Sequence, residues 1–130
     1  MAPSLNHTIV WCRDKSASSA YLVDVLGLPD PVAFGPFLVV EMANGVSLDY
    51  HEVERAGDRI EPQHYAFLVT EEEFEDAFGR IRARGQDFWA DPGLRRQGEI
   101  NRNDGGRGVY FRDPDGHLLE LITRPYGSGG

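Results

Sequence analysis

Hydrophobic residues along the chain fall into short runs at strand spacing, interrupted by two longer stretches at helical spacing. The first run, Leu5 to Cys12 (LNHTIVWC), is dominated by β-branched and aromatic residues and predicts a strand. Asp14 to Leu26 (DKSASSAYLVDVL) then places Ala17, Tyr21, Leu22, Val25 and Leu26 on one helical stripe. Asp14 or Ser16 supplies the cap of this helix, and Gly27 ends it. PVAF, FLVVEMA and VSLDYHE predict three further strands, with Asn44-Gly45 as the hairpin signal between the last two.

The order then repeats. HYAFLVT (His64 to Thr70) predicts a strand, and Thr70 with Glu73 forms a capping box for the next helix. Phe74, Ala77, Phe78 and Ile81 follow at helical spacing, and Gly85 closes the helix. DFWA, GVYFRD and HLLELIT predict strands, the last two joined by the turn Asp113-Pro114-Asp115-Gly116. The offset between the halves is 57 residues at His7 and His64 and 58 at Gly27 and Gly85. It is 71 at Asp49 and Glu120 and again at Gly45 and Gly116. The pattern predicts two copies of one module, at about 5–52 and about 63–124, with a linker at about 53–62 and a flexible tail at 127–130. The second copy gains 13 residues, which fall in the polar, Gly-rich segment 90–108. Connections of that length are usually functional or disordered.

Strand periodicity assigns faces. His7 faces with Leu5, Ile9 and Trp11; His64 with Ala66 and Leu68; Glu120 with Leu118 and Ile122. Ser47, Asp49 and His51 share one face of the fourth strand. A histidine on an apolar strand face is more often a satisfied core residue than a ligand, and a lone glutamate in a strand is often just exposed. Repetition shifts that balance, because His7 and His64, like Asp49 and Glu120, hold equivalent places in two modules. A buried carboxylate also needs a compensating partner. Two neutral imidazoles and one carboxylate suit non-haem Fe(II), and also Zn, Mn, Ni or Co.

The net charge of −8, from 13 basic and 21 acidic residues, argues against binding to nucleic acid or to an anionic membrane. No apolar run approaches the roughly 20 residues of a membrane helix. The opening MAPSLNH has no basic region followed by an apolar stretch, and the single cysteine, Cys12, fits a reducing compartment. A cytoplasmic location is the expectation.

LNHTIV, YLVDVLGL, HYAFLV and GVYFRDPDGHLLELITRPYG together resemble the vicinal oxygen chelate superfamily, which includes glyoxalase I, extradiol dioxygenases, fosfomycin-resistance enzymes and bleomycin-binding proteins. The last segment is the most specific, joining a strand, the DPDG turn and a glutamate in fixed register. The resemblance implies an α+β fold of two tandem βαβββ modules, each curling into a half-open mixed sheet around a metal site. It implies His7, His64 and Glu120 as metal ligands, with Fe(II) or Mn(II) for dioxygenase-like chemistry and Ni, Co or Zn for glyoxalase-like chemistry. It also implies a homodimer in which His7 of one chain completes a site with His64 and Glu120 of the other. Tyr110, ten residues before Glu120, matches a tyrosine that hydrogen-bonds a metal-bound oxygen in some members; an ordinary cross-strand aromatic is the plain alternative. Asp49 stands where glyoxalase I has a fourth ligand, and Asp49 or His51 is the candidate proton carrier. Ile9 stands where fosfomycin enzymes have threonine, which points away from that substrate.

The inserted segment carries Arg95, Arg96, Arg102 and Arg107, a local positive cluster able to hold a carboxylate or phosphonate. A solvated loop is the plain alternative. Trp11 is a further candidate for contact with a substrate. The sequence therefore predicts a metal-dependent enzyme acting on a small oxygen-rich substrate. The rival expectation is an antibiotic-sequestering dimer without catalysis.

Overall fold

The computed structural model describes residues 1–129, and the chain separates into two units, Met1–Glu61 and Pro62 onward. The first unit contains β1 (His7–Cys12), α1 (Lys15–Leu26), β2 (Val32–Phe34), β3 (Phe37–Glu41) and β4 (Ser47–Glu52). Its sheet has the order β1-β4-β3-β2, with β1 parallel to β4 and the other pairs antiparallel. The second unit contains β5 (His64–Leu68), α2 (Glu71–Ala83), β6 (Phe88–Trp89), β7 (Gly108–Arg112) and β8 (Leu118–Ile122). Its sheet has the corresponding order β5-β8-β7-β6 and the same strand directions. Each unit is thus the βαβββ module of the sequence pattern. Gly130, the last residue of the predicted tail, lies outside the described residues.

Local signals explain the helices. The Asp14 carboxylate accepts the Ala17 amide at 3.1 Å to start α1, and Gly27 at φ 68 ends it. The Thr70 hydroxyl accepts from the Glu73 amide at 3.0 Å, and the Glu73 carboxylate accepts from the Thr70 amide at 2.8 Å. The buried stripe of α1 differs from the predicted one: Ser18, Ser19, Tyr21, Leu22 and Val25 face inward, and Ala17 is exposed. A buried serine is tolerated there because its hydroxyl turns back on the helix. Ser19 donates to the Lys15 carbonyl at 2.6 Å.

In each unit one sheet face is buried, by alternation, and the other carries the candidate residues. Val10, Cys12, Leu48, Tyr50 and Val40 join Leu22 and Val25 in the first core. Val109, Phe111, Leu119 and Leu121 join Phe74, Ala77 and Ile81 in the second. The opposite face of β1 and β5 (His7, Ile9, Trp11; His64, Ala66, Leu68) is exposed. Among the described residues no helix is long and apolar enough to cross a membrane.

The insertion is braced at several points. Segment 88–90 pairs with 96–98 through Ala90–Arg96 and Gly98–Phe88 hydrogen bonds. Asp91 accepts from the Arg95 and Arg96 amides, and buried Asn101 donates to the Ala90 carbonyl at 2.8 Å. Arg107 departs from the expected positive cluster. Its guanidinium stacks 4.5 Å from the Phe74 ring centre and pairs with Glu71 at 3.0 Å and with Glu75, tying the loop to α2.

Candidate functional site

Register across the second sheet aligns Ala66, Glu120, Tyr110 and Trp89 in one row. His64 lies two residues before Ala66 on the same face, which brings its ring over the Glu120 carboxylate. His64 Nε2 is 3.1 Å from Glu120 Oε1, and His64 Nδ1 is 3.0 Å from the Leu118 carbonyl oxygen. That carbonyl only accepts, so Nδ1 carries the proton and donates. In the neutral ring, Nε2 then presents a lone pair to a carboxylate oxygen. Two acceptors facing each other at 3.1 Å require a shared proton or a cation bound by both.

The surroundings strengthen that requirement. The Glu120 side chain is only 9% exposed, against 48% for His64. Tyr110 is buried opposite Glu120; burial first, and then its hydrogen bond to Glu120, push the phenol well above its ordinary value. Tyr110 therefore remains a hydroxyl at neutral pH and donates to the carboxylate. Its ring stacks on His64 at 6.0 Å between centres and an interplanar angle of 25°. A histidine that donates from one nitrogen to a backbone carbonyl and turns the other towards a carboxylate is oriented as metal-binding histidines are. The donor set fits a divalent ion.

The first unit repeats this geometry in part. Ile9, Asp49, Val39 and Val32 form the matching row, so Asp49 holds the place of Glu120 and Val39 that of Tyr110. His7 holds the place of His64, with Nδ1 2.7 Å from Asn6 Oδ1. Asp49 accepts the Ser47 hydroxyl at 2.7 Å. His51 is held between Trp11, at 5.0 Å, and Phe37, at 5.1 Å between ring centres; its Nδ1 is buried without a hydrogen-bond partner. Trp11 is 44% exposed. Among the described residues no three His, Cys, Asp or Glu side chains gather within metal-binding reach. The structure thus brings together His64, Glu120 and Tyr110, and separately places His7, Asp49, His51 and Trp11 on one face of the first sheet.

The substrate-binding arginines divide. Arg95 and Arg96 are exposed beside Asp91, whose carboxylate is held below its ordinary value, chiefly by the Arg96 amide. Arg102 is exposed and acts electrostatically on Glu71 of α2. Asp91, which also acts on Tyr110, is not among the residues the sequence pattern singles out; its signal is the Asp91-Pro92-Gly93 turn opening the insertion. His117 is fully buried, and its Nδ1 accepts the Gln63 amide at 2.9 Å.

Residues 4–121 match the model of the Glyoxalase/Bleomycin resistance protein/Dioxygenase superfamily. The chain belongs to this superfamily. Within it, the structure called oxidase ChaP-H2 is 59% identical, with all of both chains covered and a TM-score of 0.94. Glutathione transferase FosA of Serratia marcescens is 32% identical over 127 residues, 93% of this chain and 81% of the relative. Metallothiol transferase FosB of Shouchella clausii is 38% identical over 72 residues, 55% of this chain and 45% of the relative. The superfamily accounts for the two βαβββ modules; its named members span more than one chemistry.

Proposed function

We propose that the protein is a divalent-metal-dependent enzyme of this superfamily that binds a small oxygen-rich substrate and acts on it in an oxidase-like manner. The observation that carries the reading is His64 Nε2 lying 3.1 Å from the buried Glu120 carboxylate, to which Tyr110 is also hydrogen-bonded. His64 and Glu120 would hold the metal, with His7 as third ligand. A bound divalent ion supplies a Lewis acid for substrate oxygens and, as Fe(II) or Mn(II), one-electron chemistry with dioxygen. Tyr110 keeps Glu120 oriented, since its single hydroxyl proton is directed to that carboxylate. Asp49 and His51 are the proton carriers of this reading: Asp49 has an oxygen besides the one bonded to Ser47, and His51 Nδ1 has no hydrogen-bond partner. Trp11 offers an aromatic contact, and Arg95, Arg96 and Arg102 offer charge to a substrate anion. Fe(II) or Mn(II) is favoured over Ni, Co or Zn because the 59% identical relative is named an oxidase. Ile9 and the lower identity to FosA weigh against thiol transfer to fosfomycin. A homodimer in the cytoplasm completes the proposal, in keeping with a single, buried cysteine, Cys12.

The sequestering alternative draws on the exposed apolar residues of the first sheet, Trp11, Val32 and Phe34. The two readings part on nitrocatechol, a chelating diol whose absorption shifts when it binds a metal. Wild-type protein loaded with Fe(II) or Mn(II) is expected to shift the spectrum; metal-free protein and Glu120→Gln are not. A metal-loaded wild type that leaves the spectrum unmoved would contradict the enzyme reading.

A further inference from the structure

In the sheet order β5-β8-β7-β6, β5 is an edge strand that pairs with β8, and His64 is its first residue. The end of an edge strand is a place where local opening costs little, yet the His64 ring is aimed at Glu120. The bonds that hold it join two consecutive residues of each strand. The Leu118 amide donates to the Gln63 carbonyl at 2.8 Å, and the Leu118 carbonyl accepts from His64 Nδ1 at 3.0 Å. The Gln63 amide in turn donates to Nδ1 of His117 at 2.9 Å. An amide N–H only donates, so His117 carries its proton on Nε2, the opposite tautomer to His64.

The His117 ring is itself fixed. It is fully buried, with the Tyr65 ring edge-on at 5.8 Å between centres and an interplanar angle of 81°. The amides of His117 and Asp115 both donate to Asp113 Oδ1 at 2.9 Å, and Gly116 completes the turn at φ 86. The first unit supplies an internal comparison at the 71-residue offset. Its hairpin backbone is bonded in the same way: the Met42 amide donates to the Val46 carbonyl, Gly45 to Met42 and Ser47 to Asn6, as Asp113 does to His117, Gly116 to Asp113 and Leu118 to Gln63. The side chains differ, with Met42 and Val46 in place of Asp113 and His117. A valine side chain cannot accept a hydrogen bond, and His7, at the place of His64, turns Nδ1 to the side chain of its own neighbour Asn6 at 2.7 Å. With the backbone pattern held constant, the residue after the turn separates a histidine bonded across the sheet from one bonded to its neighbour.

We propose that His117 is the positioning residue of His64. By accepting the Gln63 amide it fixes the start of β5, so that the His64 ring reaches the Leu118 carbonyl and turns Nε2 to Glu120. His117 acts through Gln63, not on substrate or metal. Its effect on metal affinity rests on the reading of His64 and Glu120 as ligands; its effect on the His64 ring does not.

The test compares wild type, His117→Asn and His117→Leu in the full chain. Asparagine places a side-chain oxygen where Nδ1 accepts, whereas leucine fills the space without an acceptor. In metal-free protein followed by NMR, the Gln63 amide is expected to exchange slowly in wild type and His117→Asn, and fast in His117→Leu. The His64 ring signals should match wild type in His117→Asn and shift in His117→Leu, as Nδ1 leaves the Leu118 carbonyl. Mn(II) affinity should fall about tenfold in His117→Leu and stay within about twofold of wild type in His117→Asn. Gln63→Pro deletes the amide and leaves the buried ring in place, so it should reproduce the leucine result even where His117→Leu fails to fold. His64 ring signals that keep their wild-type positions in His117→Leu or Gln63→Pro would overturn the proposal. So would the reverse order, with leucine preserving the ring and asparagine disturbing it, which would assign His117 to packing. A wild type that binds no Mn(II) would contradict the metal-site reading, while the amide and ring signals would still decide the role of His117.

Discussion

Removing most of the water from a carboxylate, as at Glu120, costs several kcal/mol unless neighbouring groups replace the lost hydration. Here the replacements are the Tyr110 hydroxyl and the proton or cation shared by Glu120 and His64. Tyr110→Phe removes one donor and leaves the buried acceptor short. Urea unfolding of metal-free protein should show a loss of about 1–3 kcal/mol. Equal stability of the two proteins would mean that the phenol is merely a packed aromatic. Glu120→Gln should cost less in metal-free protein, since it replaces a buried charge by an amide, yet it should remove the metal response.

At the scale of elements, the attachment of the insertion to α2 makes a pH prediction. Arg107 holds the Glu71 carboxyl below its ordinary value, chiefly through their hydrogen bond. The folded state therefore favours the ionised carboxyl. That stabilisation is complete above the ordinary glutamate range and fades as pH falls through the lowered value. Thermal melts of wild type and Glu71→Gln should differ at about pH 7 and converge as pH falls below the ordinary glutamate range. A gap that persists at low pH would assign the effect to packing. Thr70→Ala, which removes half of the capping box, should cost about 1 kcal/mol at either pH.

The same elements divide what the amino-acid sequence encodes locally from what it does not. The capping box, the glycine at the end of each helix and the period-two strands act between neighbours in sequence, so the pattern carries them. Duplication adds long-range information: equal offsets at Asp49 and Glu120 become equal registers, Ile9 opposite Asp49 and Ala66 opposite Glu120. The contacts of Arg107 are not legible in this way. Its partners lie 36 and 32 residues before it. No local period encodes such contacts, and the insertion has no counterpart in the first module to compare with. The orientation of His64 is likewise hidden in the sequence, since it depends on the Leu118 carbonyl across the sheet.

For the whole molecule, the question is which chain supplies His7 to the proposed site. If two chains exchange ligands, His7→Ala and His64→Ala each abolish both sites of a dimer. Refolding the two variants together then yields heterodimers with one intact site, because one chain retains His7 and the other retains His64. Metal content should recover to about one ion per heterodimer. No recovery would place all three ligands in a single chain. Everything proposed for the activity of this protein rests on a divalent ion held by His64 and Glu120. Metal analysis of protein purified without chelators and reloaded with Fe(II), Mn(II), Ni(II) or Zn(II) tests it most directly. One ion per chain in wild type and none in His64→Ala is the predicted result; a wild type that takes up none of the four, or a His64→Ala protein that binds as much as wild type, would contradict it.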